Sequence, residues 1–284
     1  MKKKLLVLLS LAFGFQAHAQ LKEIYGPFYS GAVFVNKGNL FNPDDLRADS
    51  FQTYALTPNV GLQFDYGYLF ENGISISGGL HYSTCNQKYS GSDPAYAYTL
   101  SGTTNASFIK LPFTISHQTR NDKLFKFIYS AGFFYAYTTG YKDQYSLDYK
   151  ADNVATMKTT ITQTDMTQTM EGSNAKASYA LRDNVFHRHN IGALVAAGIS
   201  YRFKERWEFI TQLRAEIFMS NVENINQNVL TPADNTPGFA QYGYVYGNYA
   251  KYMRSPNLND RRSATRPFNL GLTLGLRKYV FGTH

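Results

Sequence analysis

Segments in which apolar and polar residues alternate recur along the chain. A two-residue period marks a β-strand with one apolar face. The second segment shows it well, with Val60, Leu62 and Phe64 on one face and Gln63 and Asp65 on the other. The pattern predicts eight strands, at about 25–35, 59–70, 74–83, 108–116, 124–137, 190–203, 207–218 and 268–280.

Every second connection between these strands is short. Tight turns are predicted near 71–73, 119–123 and 204–206, and long loops near 37–53, 86–104, 140–187 and 221–266. Transmembrane barrels have this asymmetry, with short periplasmic turns and long extracellular loops. The strands also reach the ~9–11 residues that a tilted membrane strand needs. The predicted fold class is therefore all-β, an antiparallel transmembrane β-barrel of eight strands. A ten-stranded barrel, with an extra hairpin inside 140–187, is the alternative.

The first nineteen residues have the features of a secretory signal. Lys2, Lys3 and Lys4 precede a short apolar run at 5–15, and Ala17-His18-Ala19 has the form of a cleavage site. Residues 20–284 would then form a single barrel domain that contains the long loops at about 140–187 and 221–266. No later run is apolar and long enough for a membrane helix, and without helices only a closed barrel satisfies every backbone group in lipid. The predicted location is the bacterial outer membrane.

Composition agrees with this location. The chain has 23 Tyr and 21 Phe but one Trp, which suits aromatic girdles at the two membrane interfaces. Cleavage of the signal would remove three lysines and lower the formal charge from +8 to +5. This mild excess suits contact with outer-membrane lipid and lipopolysaccharide. We expect no nucleic-acid partner at this location. The single cysteine, Cys85, has no partner for an internal disulfide.

The predicted inward faces carry charge of both signs. An eight-stranded barrel is just filled by its own side chains, and buried charges are costly unless they are paired. A polar network that plugs the lumen is therefore predicted, with a narrow anion-preferring pore as the alternative. Its members are Asp65, His81, Lys110, Lys126, Arg202, Glu208, Arg214, Glu216 and Arg277.

Two histidine patterns could carry chemistry. His81 and Ser83 lie two residues apart on one strand face, and a His that activates a Ser is the logic of nucleophilic catalysis. Lipid A deacylases are barrels that use such a pair, but here both residues are predicted to face the lumen, and no carboxylate is evident nearby in the sequence. His187 and His189 lack an obvious third metal ligand. We therefore predict no catalytic residue, no metal site and no cofactor.

The two longest loops are the places where individual function would reside. The loop at 140–187 is predicted to form a β-hairpin above the membrane. The loop at 221–266 combines Tyr and Arg, which are enriched in binding surfaces. It could bind a partner protein or glycan, or it could be a strand extension whose arginines meet lipopolysaccharide phosphates. The candidate partner-binding surface is Tyr242, Tyr244, Tyr246, Tyr249, Tyr252, Arg254, Arg261 and Arg262.

Some strand motifs resemble those of a known family. The segments Phe108-Ile109-Lys110-Leu111-Pro112-Phe113 and 126–132, together with Asn190-Ile191-Gly192 and 197–201, are similar to strands of the PorT-like outer-membrane β-barrel family of Bacteroidota. The resemblance implies a barrel without a family active site. Name-giving members are linked to type IX protein secretion. It therefore suggests a structural or accessory subunit of envelope assembly or protein secretion, with a lipid A-modifying enzyme and a small pore as alternatives.

Overall fold

A computed structural model describes residues 24–41, 52–93, 98–119, 124–149, 157–164, 167–171, 176–180, 187–222 and 264–280. The predicted signal peptide lies outside these residues. The described part of the chain contains eleven β-strands. They are β1 (Gly26–Phe41), β2 (Gln52–Leu69), β3 (Ile74–Asp93), β4 (Tyr98–Gln118), β5 (Phe125–Tyr149), β6 (Met157–Thr164), β7 (Thr167–Glu171), β8 (Lys176–Ala180), β9 (His189–Lys204), β10 (Trp207–Phe218) and β11 (Arg266–Tyr279).

Eight of these strands close into an antiparallel barrel. Going around it, the order is β1, β2, β3, β4, β5, β9, β10 and β11, and β11 pairs back onto β1. Val33 of β1, for example, lies opposite Leu62 of β2 and Leu274 of β11. Closure leaves no sheet edge within the barrel, as a strand protein in lipid requires. The prediction of an eight-stranded antiparallel barrel is confirmed.

The remaining strands, β6 to β8, extend the sheet beyond the barrel wall. β6 pairs with the end of β5, from Lys142 to Tyr149, and β7 and β8 follow in order. Extra strands inside 140–187 were therefore correctly anticipated. The ten-stranded alternative is wrong, because β5 also pairs with β9 and so closes the barrel without them.

The strands run further into the predicted long loops than expected. β3 continues to Asp93 and β4 begins at Tyr98, so most of the predicted loop at 86–104 is a paired hairpin. β1 likewise continues to Phe41. Backbone pairing can persist above the bilayer, where lipid no longer demands an apolar face, so the alternation that identified the strands fades before the strands end.

The outside of the barrel is a continuous apolar band. Leu62 and Phe127 are each 59% exposed and Phe133 is 66% exposed, while their neighbours along each strand point inward. A monomeric soluble protein rarely exposes so large an apolar surface, whereas lipid matches it. The protein is an outer-membrane β-barrel. Among the described residues, no helix is long and apolar enough to cross a membrane.

The tight turn between β2 and β3 shows which end carries the short connections. At Glu71-Asn72-Gly73, the Gly73 N–H donates to the Phe70 carbonyl oxygen at 3.0 Å. The side-chain oxygen of Asn72 accepts from the Ile74 N–H at 3.1 Å. Gly73 has a φ of 81°, a conformation that favours glycine. The tight turn predicted near 71–73 is confirmed, and its end of the barrel is called the turn side below. The opposite end is the loop side.

Candidate functional site

The lumen contains every member of the predicted polar network. The structure brings these nine residues together in two groups at different heights. The turn-side cluster is Lys126, Arg202, Glu208 and Arg277, joined by Tyr279. The loop-side cluster is Asp65, His81, Lys110, Arg214 and Glu216.

Glu208 is the centre of the turn-side cluster. One carboxylate oxygen accepts a hydrogen bond from Lys126 and lies 3.9 Å from Arg202 Nε. The other accepts from the Tyr279 hydroxyl at 3.0 Å and lies 3.7 Å from Arg277 Nη1. Glu208 is fully buried. The Glu208 carboxylate is therefore in contact with three basic side chains.

Two further contacts fix the Arg277 guanidinium. Its Nη1 donates to Gln118 Oε1 at 3.3 Å, and the guanidinium carbon lies 4.4 Å from the centre of the Phe28 ring. Gln118 and Tyr279 belong to this cluster but are absent from the network predicted from the sequence. The strand pattern could have identified Tyr279, because it is two residues beyond Arg277 and therefore shares its inward face.

The loop-side cluster is a chain of contacts across the lumen. Glu216 accepts from Lys110 Nζ at 2.5 Å with one oxygen and lies 2.8 Å from Arg214 with the other. Arg214 Nη2 then donates to His81 Nδ1 at 3.3 Å, and His81 Nε2 donates to Asp65 Oδ1 at 2.8 Å. Lys110 lies on β4 and Glu216 on β10, which are not neighbours in the barrel. Their ion pair therefore ties opposite walls together.

A hydroxyl-rich belt with a small cavity separates the two clusters. The cavity measures about 50 Å³. Arg214 and Arg277, from the two clusters, both reach its wall, and Asp65 is also part of it. Its other polar lining residues are Ser30, Gln63, Ser77, Thr114, Ser116, Ser130, Gln212 and Thr273.

Apolar side chains cover the network at both ends. On the turn side these are Ile24, Phe28, Leu69 and Tyr279. On the loop side they are Leu40, Cys85, Ala106, Phe108, Phe134, Ala136, Leu194, Phe218 and Val222. The ammonium of Lys110 lies 5.1 Å and 5.3 Å from the ring centres of Phe134 and Phe218. Within the described residues, the two clusters and the apolar layers block the lumen, and the small cavity between the clusters is enclosed by them.

The His81 and Ser83 pair does not have catalytic geometry. Asp65 orients His81, so a carboxylate is present after all, on the neighbouring strand β2. The other ring nitrogen of His81 faces Arg214 and not Ser83. The Ser83 hydroxyl is buried and has no hydrogen-bond partner within the described part of the chain. No base is therefore placed to activate this serine.

The second histidine pattern has a structural contact. His189 Nδ1 forms a hydrogen bond with the Tyr135 hydroxyl on β5, and the His187 backbone N–H donates to the Val222 carbonyl at 2.8 Å. In the described ranges no group of three or more His, Cys, Asp or Glu could hold a metal ion. The predicted partner-binding surface at 242–262 lies outside the described residues and stays a prediction.

Comparisons with known proteins find barrels but no family. No protein-family model matches the chain, and no curated protein matches it either. Among solved structures, the chain is similar to neisserial surface protein A, with 9% identity over 89% of this chain and 96% of that chain and a TM-score of 0.39. It is similar to the attachment invasion locus protein Ail of Yersinia pestis, with 9% identity over 89% and 99% and a TM-score of 0.32.

A third similar structure is the toluene transporter TodX of Pseudomonas putida, with 10% identity over 91% of each chain and a TM-score of 0.26. These identities and TM-scores are low, so the similarities carry no functional information. The resemblance to the PorT-like family likewise stays a prediction.

Proposed function

We propose that this protein is a non-enzymatic outer-membrane barrel that serves as a structural or accessory subunit of envelope assembly or protein secretion. The observation that carries the proposal is the filled lumen. Ion pairs cross it at two heights, and an apolar layer covers each end. A barrel closed in this way offers its outer loops and its wall to partners, and not its interior.

The described loop side supports a role in contacts above the membrane. β3 and β4 pair as far as Asp93 and Tyr98, and β6 to β8 widen the sheet from the end of β5. Extended sheet at this end is a rigid base for loops that bind a partner. In the sequence, the tyrosine- and arginine-rich segment at 242–262 falls between the end of β10 and the start of β11.

The PorT-like motifs fit the same proposal. Lys110, within the motif at 108–113, pairs with Glu216, and Lys126, which begins the motif at 126–132, pairs with Glu208. These motifs therefore help to hold the barrel closed and carry no chemistry of their own. The link to type IX secretion rests on the family resemblance alone, so we keep the broader class of envelope assembly or secretion.

The proposal is tested by isolating the tagged protein from its own outer membrane in a gentle detergent and identifying co-purifying proteins by mass spectrometry. We expect stoichiometric envelope or secretion proteins, and we expect a variant that lacks 238–262 to lose them while still folding as a barrel. A variant that lacks 157–180, the β6–β8 extension, is the matched control for loop shortening and should retain the partners. Recovery of the barrel and lipopolysaccharide alone would contradict an accessory role.

The alternative of a lipid A-modifying enzyme has a separate test. It needs His81 to act on a lipid, although His81 is buried in the lumen between Asp65 and Arg214. We expect lipid A from cells that carry His81→Ala to have the same mass spectrum as lipid A from cells with the unmodified protein. A changed acylation pattern would favour the enzyme.

A further inference from the structure

A lysine on the outer face of the barrel lies between two aromatic rings near the turn side. The Lys278 ammonium is 5.2 Å from the centre of the Trp207 ring and 5.8 Å from the centre of the Tyr29 ring. Tyr29 and Trp207 are the direct register partners of Lys278 on the two neighbouring strands, β1 and β10. Tyr29, Lys278 and Trp207 therefore form one row across three adjacent strands, called the aromatic–lysine row below.

The aromatic–lysine row lies at the turn-side boundary of the apolar band. Leu276, two residues closer to the middle of β11 than Lys278, is apolar and exposed. Trp207 is the first residue of β10, and the Tyr279 N–H donates to the Arg206 carbonyl at 2.9 Å, so the turn between β9 and β10 lies directly beside Lys278. Aromatic girdles mark the membrane interfaces of barrels, and a lysine stem can lie along apolar surface while its ammonium reaches the polar layer. The ammonium therefore lies at the depth of the lipid headgroups.

The surroundings of Lys278 are basic. Within the described residues its ammonium contacts the two rings and forms no ion pair with a carboxylate. Lys204 and Arg206 are exposed in the adjacent turn, with Glu205 between them. Three basic side chains are therefore accompanied by one acidic side chain at this edge of the barrel. An ammonium has three N–H donors and no acceptor, so the group that completes its contacts must accept hydrogen bonds.

We propose that the aromatic–lysine row binds the headgroup phosphate of an anionic phospholipid in the membrane leaflet on the turn side. Lys278 donates to the phosphate oxygens, and the rings of Tyr29 and Trp207 hold its ammonium at headgroup depth. Lys204 and Arg206 add positive charge beside it. A zwitterionic lipid carries a cation next to its phosphate and gains less from this charge, so the site prefers a lipid with a net negative charge, such as phosphatidylglycerol.

Trp207 provides the direct readout, because it is the one tryptophan of the chain. The full-length mature protein is reconstituted into vesicles of phosphatidylglycerol and phosphatidylcholine in equal amounts. Brominated acyl chains, which quench a tryptophan that they touch, are placed on one lipid or on the other. We expect stronger quenching with brominated phosphatidylglycerol, equivalent to a roughly fivefold preference, which is the attraction expected for one basic side chain near an anionic membrane surface. Equal quenching by the two brominated lipids would overturn the proposal.

Two lysine variants test whether the preference comes from this site. Lys278→Gln removes the charge but keeps Trp207, and it should lower the preference to less than about twofold. Lys37→Gln is the matched control, because Lys37 is also an exposed lysine of the barrel wall, opposite Leu270 and away from the turn side. It should retain the preference. An unchanged preference in Lys278→Gln, or an equal loss in both variants, would contradict a site at Lys278.

Inorganic phosphate distinguishes a lipid headgroup from a free anion. Added at constant ionic strength, it should leave the preference for phosphatidylglycerol unchanged, because a free anion lacks the acyl chains that hold the headgroup beside the barrel. A preference abolished by inorganic phosphate would assign the row to a free phosphate and would overturn the lipid proposal. Each ratio is measured on folded protein of one preparation, so a lower folding yield of a variant does not change it.

Discussion

At the scale of single residues, the sequence shows which side chains face inward but not which ones meet. Strand parity alone places Lys110 and Glu216 on inward faces. Their contact depends on the stagger of the strands around the barrel, because 106 positions and several strands separate them. Asp65 and His81 show the same limit, since 16 positions separate the two partners and they lie on neighbouring strands.

Glu208 should be the least replaceable lumen residue. In Glu208→Gln, Lys126, Arg202 and Arg277 lose the single carboxylate that they share, and removal of one partner of a buried ion pair typically costs roughly 3–5 kcal/mol. We expect the folded band to convert to the unfolded band at a lower temperature in electrophoresis of samples heated in detergent. Glu205→Gln, at an exposed position of the turn between β9 and β10, is the matched control. If the two variants convert at the same temperature, the network does not stabilise the barrel.

Gly198 lies where two neighbouring strands approach closely, and its replacement tests how tightly the barrel wall is packed. A Cβ on Gly198 of β9 would lie 2.0 Å from the Thr211 carbonyl oxygen of β10, whereas a Cβ on Gly31 of β1 would meet nothing within 4 Å. Gly198→Ala must therefore move backbone, and overpacking of this kind costs roughly 1–3 kcal/mol. Gly31→Ala should leave stability nearly unchanged. Urea titrations of the two variants in lipid vesicles would measure the difference, and equal midpoints would show that the strands separate freely at Gly198.

At the scale of strands, the sequence pattern identified each barrel strand and its two faces. Several strands, however, extend further on the loop side than the pattern predicted. The alternation arises because one face of each strand contacts lipid and the other face packs inside the lumen. Beyond the bilayer water replaces lipid, so β3 continues to Asp93 through a mostly polar run that lacks this alternation. The turn-side ends were placed well, since Gly73 and its neighbours show a local preference that does not depend on lipid.

The apolar face of β11 provides a depth-dependent prediction. Leu272 lies near the middle of β11 and faces outward, while Val280 lies just beyond its turn-side end. An arginine on the lipid face costs roughly 2–4 kcal/mol at the bilayer midplane and about 0–1 kcal/mol near an interface. Leu272→Arg should therefore lower folding yield and stability in vesicles far more than Val280→Arg. Similar losses in both variants would mean that the bilayer is not centred on this part of the strand.

At the scale of the whole molecule, ion pairs inside the lumen connect strands that are not neighbours in the barrel wall. Cross-lumen pairs join β4 to β10 and β5 to β10, and hydrogen bonds close the wall through β1 and β11. The sequence predicted that the lumen would hold charge of both signs. The apolar layers that cover both ends emerge only from the fold, because Leu40, Phe108 and Phe218 come from distant parts of the chain.

A filled interior should not conduct ions. Passage would require Lys110 to leave Glu216 and the aromatic rings of Phe134 and Phe218 to part, and these changes break a buried ion pair and an apolar layer at once. We therefore expect planar bilayers to stay electrically silent after insertion of the purified protein, under conditions in which a porin gives discrete steps. The opposite result would also be informative, because five basic side chains and three carboxylates of the described strands face the lumen, and a lumen that opened would favour anions. Steps that scale with the amount of protein, and whose anion preference falls in Arg277→Gln, would establish a pore and would contradict a role limited to the outer surface.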